Sequence, residues 1–410
     1  MADAGTEGTP SASSPAPPTL GGHMPALDGV RGFAILIVLL YHFVAQTTVT
    51  NHLEAVINWV LGFGFLGVNL FFLLSGFLIT GILYDSRDDR RYFRNFYMRR
   101  VLRIFPLYYA VLVTVFLILP LIPSLRGSEI VGLREHQLWA WLYGVNVYLS
   151  MKGGWVLSYV EHFWSLAVEE HFYFVWPLVV WWLRARPGAL MRVALSVAAL
   201  AFGGRVAASL AGVSLVTTTV LTPYQLDALL LGGFFALCLR QPGGVAAVGR
   251  AIKPMAVVAA VILLLQFGLH RFTDSGLSVM RALRSGAFHL LFAVLLLKAV
   301  LAPAASLASR FWRSSPMVTL GKYSYGLYVY HHFFSYYFVR HGVEFALARV
   351  IGSHTLAVAA QAIGGVAASM TIAWLSYEWF EKHFLRLKRF WSSAKAKEAT
   401  DLLAARPRRA

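Results

Sequence analysis

Two ionisable side chains eleven residues apart, Arg31 and His42, sit in the apolar run LDGVRGFAILIVLLYHF at 27–43. Eleven residues are close to three turns of an α-helix, so both fall on one face, about 16 Å apart along an unbroken axis. Keeping such groups in lipid is expensive, which makes them functional candidates. A fixed cation at one end and an imidazole at the other could bind an anionic donor and move a proton. The alternative is an Arg31 that snorkels to the headgroups and a His42 that is only hydrogen-bonded within a bundle.

The stretch EHFWSLAVEEHFYFVWP at 161–177 is the richest in such groups. His162, Ser165 and Glu169 share a helix face, and Glu170 points about 100° away. A carboxylate can hold an imidazole in one tautomer, so Glu169 is a possible partner for His42, with an ion pair to Arg31 or Arg205 as the structural alternative. Arg100 and Arg103, three residues apart in the basic stretch 86–106, present two guanidiniums on one face; these suit phosphate oxygens or, more simply, anionic lipid. Asn69 is a lone polar residue in GVNLFFLLSGFLITGIL (67–83), where Gly67, Gly76, Gly81 and Ser75 offer small surfaces for helix contact. Asp227, Arg205, Lys298 and Glu378 are isolated charges in apolar surroundings. Tyr325 and His331 belong to GKYSYGLYVYHHF (321–333), which could line an acceptor cavity or form an aromatic belt. There is no HExxH, no GxSxG, no P-loop, no GxGxxG and no metal-spaced His/Cys set, so no metal is expected.

The elements that must position these residues follow from composition. Of 410 residues, 58% are hydrophobic and 13% charged, and the mean hydropathy is +0.62. The fold expected is an all-α polytopic membrane protein. Apolar segments fall near 30–48, 58–84, 104–123, 163–184, 189–212, 222–239, 253–270, 284–303, 317–339 and 355–380, a bundle of about ten transmembrane helices. With the N-terminus inside, the inner loops hold 24 Lys and Arg and the outer loops 8, which places both termini in the cytoplasm. The net charge of +17 is explained by this topology, and no nucleic-acid module is visible. A single cysteine, Cys238, excludes an internal disulfide. Residues 1–23 read as a disordered cytoplasmic tail, 24–388 as one membrane domain and 389–410 as a basic cytoplasmic tail.

In chain order, LDGVRGFAILIVLLYHF, GVNLFFLLSGFLI, RRVLRIFPLYY, HFWSLAVEEHFYFVWP, LDALLLGG, GKYSYGLYVYH and SYEWFEKHFL resemble the acyltransferase-3 family of integral membrane acyltransferases over residues 24–388. The resemblance implies transfer of an acyl group, often acetyl, from cytoplasmic acyl-coenzyme A to a hydroxyl of a sugar, a cell-surface glycan or a natural product. It implies acyl-coenzyme A as co-substrate with no permanently bound cofactor, and residence in the cell membrane. It places the essential Arg and His on Arg31 and His42, the cytoplasmic Arg pair on Arg100 and Arg103, and the intramembrane acid on Glu169. Arg31, Arg100 and Arg103 would then hold the coenzyme A phosphates, His42 would act as general base, and Glu169 would orient it; an acyl-His42 intermediate is the other route. The chain departs from the pattern at Asn69, where an acid is common, and at His171, Gln225 and His383. Some members end in a soluble domain that receives the acyl group; none is seen here, so direct transfer to the acceptor is expected. The rival readings are a proton-coupled transporter using the same His and Glu, disfavoured by the lack of two-half symmetry, and a non-catalytic scaffold or receptor in which the buried charges only form ion pairs.

Overall fold

The computed structural model describes residues 24–123, 128–269 and 277–391. The expected tail 1–23 and all but the first three residues of 389–410 lie outside the described residues. Within them the chain is helical and contains no strand. In lipid a backbone must satisfy its own hydrogen bonds, and apolar runs of this length do so as helices.

Ten longer helices are numbered here in chain order. They are α1 Pro25–Leu40, α2 Gly67–Asp85, α3 Tyr92–Val113, α4 Trp164–Trp182, α5 Pro187–Leu210, α6 Leu226–Cys238, α7 Gly244–Leu269, α8 Leu277–Leu301, α9 Ser315–Arg340 and α10 His354–Ser376. Each of the ten expected segments contains one of these helices, in whole or in part, among the described residues. Among the described residues seven stretches are long and apolar enough to cross a membrane: Pro25–Ala45, His52–Asp85, Tyr92–Leu121, Pro187–Leu210, Gly244–Gln266, Ala282–Leu301 and His354–Trp391. The other three differ for physical reasons. With 13 residues, α6 is only about 20 Å long, short of a hydrocarbon core of about 30 Å. Both α4 and α9 are long enough but carry the ionisable side chains that form the site. Large apolar side chains point outward along the bundle, among them Phe174, Trp182, Leu200, Leu264 and Ile363, each at least 70% exposed. In water this would be a severe liability; against acyl chains it is the ordinary surface of a multi-pass membrane protein.

Proline starts α1, α5 and α9 within their first two positions, where its missing N–H costs nothing. The interior is built by close backbone approach at glycine. A Cβ on Gly76 of α2 would lie 1.7 Å from the Leu229 carbonyl oxygen, and one on Gly232 of α6 would lie 1.9 Å from that of Leu73. Gly76 thus has the packing role expected of it, and α2 and α6 meet backbone to backbone. Tyr92 and Tyr97 tie α3 to α4 by donating to the carbonyls of Pro177 (3.1 Å) and Phe174 (3.0 Å).

Helix α1 does not continue unbroken to His42. It passes into a π-helical turn at Tyr41–Ala45, so the straight-helix spacing between Arg31 and His42 is only approximate. Such one-turn widenings are frequent at functional sites.

Candidate active site

Two polar regions lie along the inner face of α1. At the Arg31 end, Arg31, Arg100 and Arg103 line a cavity of about 100 Å³ together with Glu169, Glu170, Ser75, Ser165, Tyr173, Tyr325 and Tyr328. Such a volume holds several waters, so its polar groups need not be bonded to one another. Arg31 is held by Asp28, one turn earlier, at 2.9 Å. The guanidinium of Arg100 lies 5.7 Å from the centre of the Tyr173 ring and 5.8 Å from that of Phe96, and its Nε is buried without a hydrogen-bond partner among the described residues. Arg31, Arg99, Arg100 and Arg103 lie close enough to Lys388 to act on its charge. Five cations thus gather at this end, with Asp28, Glu169, Glu170 and Glu381 as the acids around them. Lys388 was not foreseen as part of it, because it stands near the end of the sequence among other basic residues, with nothing to mark it.

The second region is built from imidazoles. His42 in the π turn faces His331 and His332 of α9, with ring centres 4.8 and 5.4 Å away, and His162 packs against His332 at 4.7 Å. His42 Nδ1 lies 2.9 Å from the Val38 carbonyl. A carbonyl only accepts, so Nδ1 carries the proton and Nε2 keeps its lone pair. That is the tautomer a general base at Nε2 requires.

The expected residues therefore divide. Arg31, Arg100, Arg103, Glu169, Ser165 and Tyr325 meet at the cavity, and His42 meets His331. Among the described residues no hydrogen bond or ion pair joins Glu169 to His42: the groups close enough to act on Glu169 are the hydroxyls of Ser75 and Tyr173, which bond each other, and the guanidiniums of Arg100 and Arg103. The helical wheel fixed its direction about α4 but not which helix lies opposite, and that helix is α2. Ser165 and Tyr328 bridge the two regions, their hydroxyls 2.6 Å apart, with Tyr328 also donating to the His162 carbonyl at 3.0 Å. Tyr325 donates to the Ile104 carbonyl of α3 at 2.8 Å.

Asn69 and Asp227 belong elsewhere. Asp227 accepts both terminal nitrogens of Arg205 and faces His289 Nδ1 at 3.1 Å; Arg205 also donates to the Tyr224 carbonyl. His289 Nε2 lies 2.9 Å from Asn69 Nδ2, which also donates to Gln225 at 3.3 Å. This buried network joins α2, α5, α6 and α8, the bundle-stabilising alternative for Asp227. His289 gave no signal in the sequence. Spacing along the chain showed no metal-ligand set, yet folding brings ligand atoms of His42, His331 and His332 within 4.8 Å of one another; adjacent histidines at 331–332 were the available hint.

Fold and site define a multi-pass helical membrane protein whose interior joins an arginine-lined cavity to an imidazole cluster. The acyltransferase-3 family, described as an acyltransferase domain, matches residues 24–378, and the chain belongs to it. It is similar to the O-acetyltransferase OatA of Staphylococcus aureus, 28% identical over 331 residues that cover 76% of this chain and 50% of that protein. It is also similar to the peptidoglycan O-acetyltransferase OatA of Listeria monocytogenes, 28% identical over 324 residues, 76% of this chain and 49% of that one. The chain spans about half the length of these curated relatives. No solved structure matches it.

Proposed function

We propose that the protein is an O-acyltransferase of the cell membrane. It moves an acyl group, acetyl in the simplest case, from acyl-coenzyme A to a hydroxyl of a carbohydrate. Relatives named for peptidoglycan favour a cell-surface glycan as the acceptor class. In this reading all ten helices lie in the membrane with both termini cytoplasmic, and the arginine end faces the cytoplasm. The observation that carries the proposal is that α1 and its π turn join a half-buried cluster of cations, to which α1 contributes Arg31, to an imidazole whose Nδ1 is engaged by a carbonyl and whose Nε2 keeps its lone pair.

Arg31, Arg100 and Arg103, with Lys388 beside them, hold the coenzyme A phosphates. The pantetheine arm carries the thioester toward His42 past Ser165 and Tyr328. His42 Nε2 takes the proton of the acceptor hydroxyl as its oxygen attacks the acyl carbonyl. The new C–O bond forms, the C–S bond breaks, and the proton passes from His42 to the departing thiolate. Glu169 acts on the arginines, keeping their forks turned into the cavity, instead of orienting His42.

Purified protein in nanodiscs with labelled acetyl-coenzyme A tests this. Coenzyme A release in the presence of glycan acceptor is expected from wild type and is expected to fall by about 10²–10⁴ in His42→Ala. Release unchanged in that variant refutes the mechanism. No binding and no release, combined with acceptor flux lacking coenzyme A, favours the transporter.

A further inference from the structure

The imidazole cluster holds more than one base. His331 Nδ1 lies 2.8 Å from the Tyr328 carbonyl and 3.1 Å from that of Leu327. His332 Nε2 lies 3.2 Å from the Ser158 carbonyl and 3.8 Å from Glu161 Oε1. As for His42, an acceptor-only carbonyl fixes each tautomer and leaves the lone pair on the other nitrogen. His331 Nε2 and His332 Nδ1 are buried without a hydrogen-bond partner among the described residues, and the two residues are 0% and 6% exposed. Each of the three imidazoles thus keeps one lone pair, and one ligand nitrogen of each lies within 4.8 Å of those of the other two. Lone pairs so placed in a low-dielectric interior are costly, and one cation that accepts all three relieves them together.

We infer that His42, His331 and His332 form a binding site for a divalent transition ion of the zinc class. The donor set decides the class: three neutral nitrogens suit zinc, copper or nickel, whereas calcium and magnesium demand oxygen. Tetrahedral coordination with bonds of about 2.0–2.1 Å puts nitrogens about 3.4 Å apart. The observed set, within 4.8 Å, has to draw in by up to about 1.4 Å to reach this, and a three-histidine set leaves a fourth position open. Ligating histidines characteristically donate their other N–H to a carbonyl or carboxylate, the arrangement all three show here. Ser158, which supplies one such carbonyl, holds φ at +39°, an unfavourable conformation for serine that persists only where its surroundings impose it. Such an ion consumes the lone pair of His42. On the proposed reading, bound zinc therefore inhibits acyl transfer by competing with the proton for Nε2.

The binding test needs neither donor nor acceptor, so it stands or falls separately from the acyltransferase reading. Tag-free full-length protein is stripped with chelator, titrated with zinc and then, in a parallel sample, with cobalt as a spectroscopic stand-in. Retention of about one ion per chain and the visible bands of four-coordinate cobalt are expected. Affinity is expected to drop about tenfold or more in His331→Ala and again in His332→Gln, with helical circular dichroism unchanged. Wild-type protein that is folded yet retains no ion, or variants that bind zinc as tightly as wild type, overturn the site; water then serves these lone pairs.

Discussion

Replacing Arg205 and Asp227, singly and together, asks whether the acid of the LDALLLGG motif is structural or takes part in the reaction. The pair is buried on both sides, at 5% and 7% side-chain exposure. In Arg205→Met the Asp227 carboxylate keeps only His289 and the Ala228 N–H. In Asp227→Leu the guanidinium keeps only the Tyr224 carbonyl. Breaking a buried pair by removing one partner costs about 3–5 kcal/mol, so the two single variants together lose about 6–10 kcal/mol. The double variant buries no unpaired charge; His289 Nδ1, the Ala228 N–H and the Tyr224 carbonyl each lose one bond, about 1–3 kcal/mol apiece. A coupling energy of about 2 kcal/mol follows, reduced to the extent that the unfolded chain in detergent finds other partners. The assay is denaturant unfolding in mixed micelles, read by tryptophan fluorescence for all four proteins. Additivity within about 0.5 kcal/mol refutes the pairing. If the double variant folds but has lost acyl transfer at saturating donor and acceptor, the structural assignment of Asp227 fails instead.

Arg100→Gln and Arg103→Gln are expected to raise KM for acyl-coenzyme A about 10- to 100-fold each with smaller changes in kcat, since a charge-assisted bond is worth about 1.5–3 kcal/mol; steady-state kinetics at two salt concentrations checks this, and an unchanged KM refutes phosphate binding there. Glu169→Gln separates two geometries: acting through the arginines it raises KM, whereas acting on His42 it lowers kcat alone. Gly76→Val places side-chain carbons where the Leu229 carbonyl already lies, 1.7 Å from the built Cβ, so α2 and α6 cannot close. Loss of monodisperse protein on size-exclusion chromatography is expected, and a stable, active variant contradicts the packing described.

The cation end was largely legible in the sequence because helical periodicity alone puts Arg100 beside Arg103, and Arg31 opens the same helix that carries His42. Glu169 was recognised as an interior acid but assigned the wrong neighbour. A helical wheel gives an angle about its own axis, enough to set Tyr173 beside Glu169 on α4, and only the packing of α2 and α3 against α4 shows that Ser75 and the arginines stand on that side. Lys388 and His289 were missed for the same reason: each reaches its neighbours across the bundle, and nothing adjacent in sequence signals it.

Hydropathy by itself determined that this chain lives in a membrane as helices, since every apolar run long enough to be helical in lipid contains one of the ten helices, in whole or in part, among the described residues. Composition also decided where ionisable groups are few enough to matter. The tertiary structure decided what those groups do together. His42 and the pair His331–His332 lie far apart along the chain, and only the contact of α1 with α9, made close by glycines on both helices, turns them into one cluster. Local periodicity acts within a few turns of one helix, whereas a site is a set of side chains from different helices, fixed by which faces pack; that information resides in the summed burial of the whole bundle.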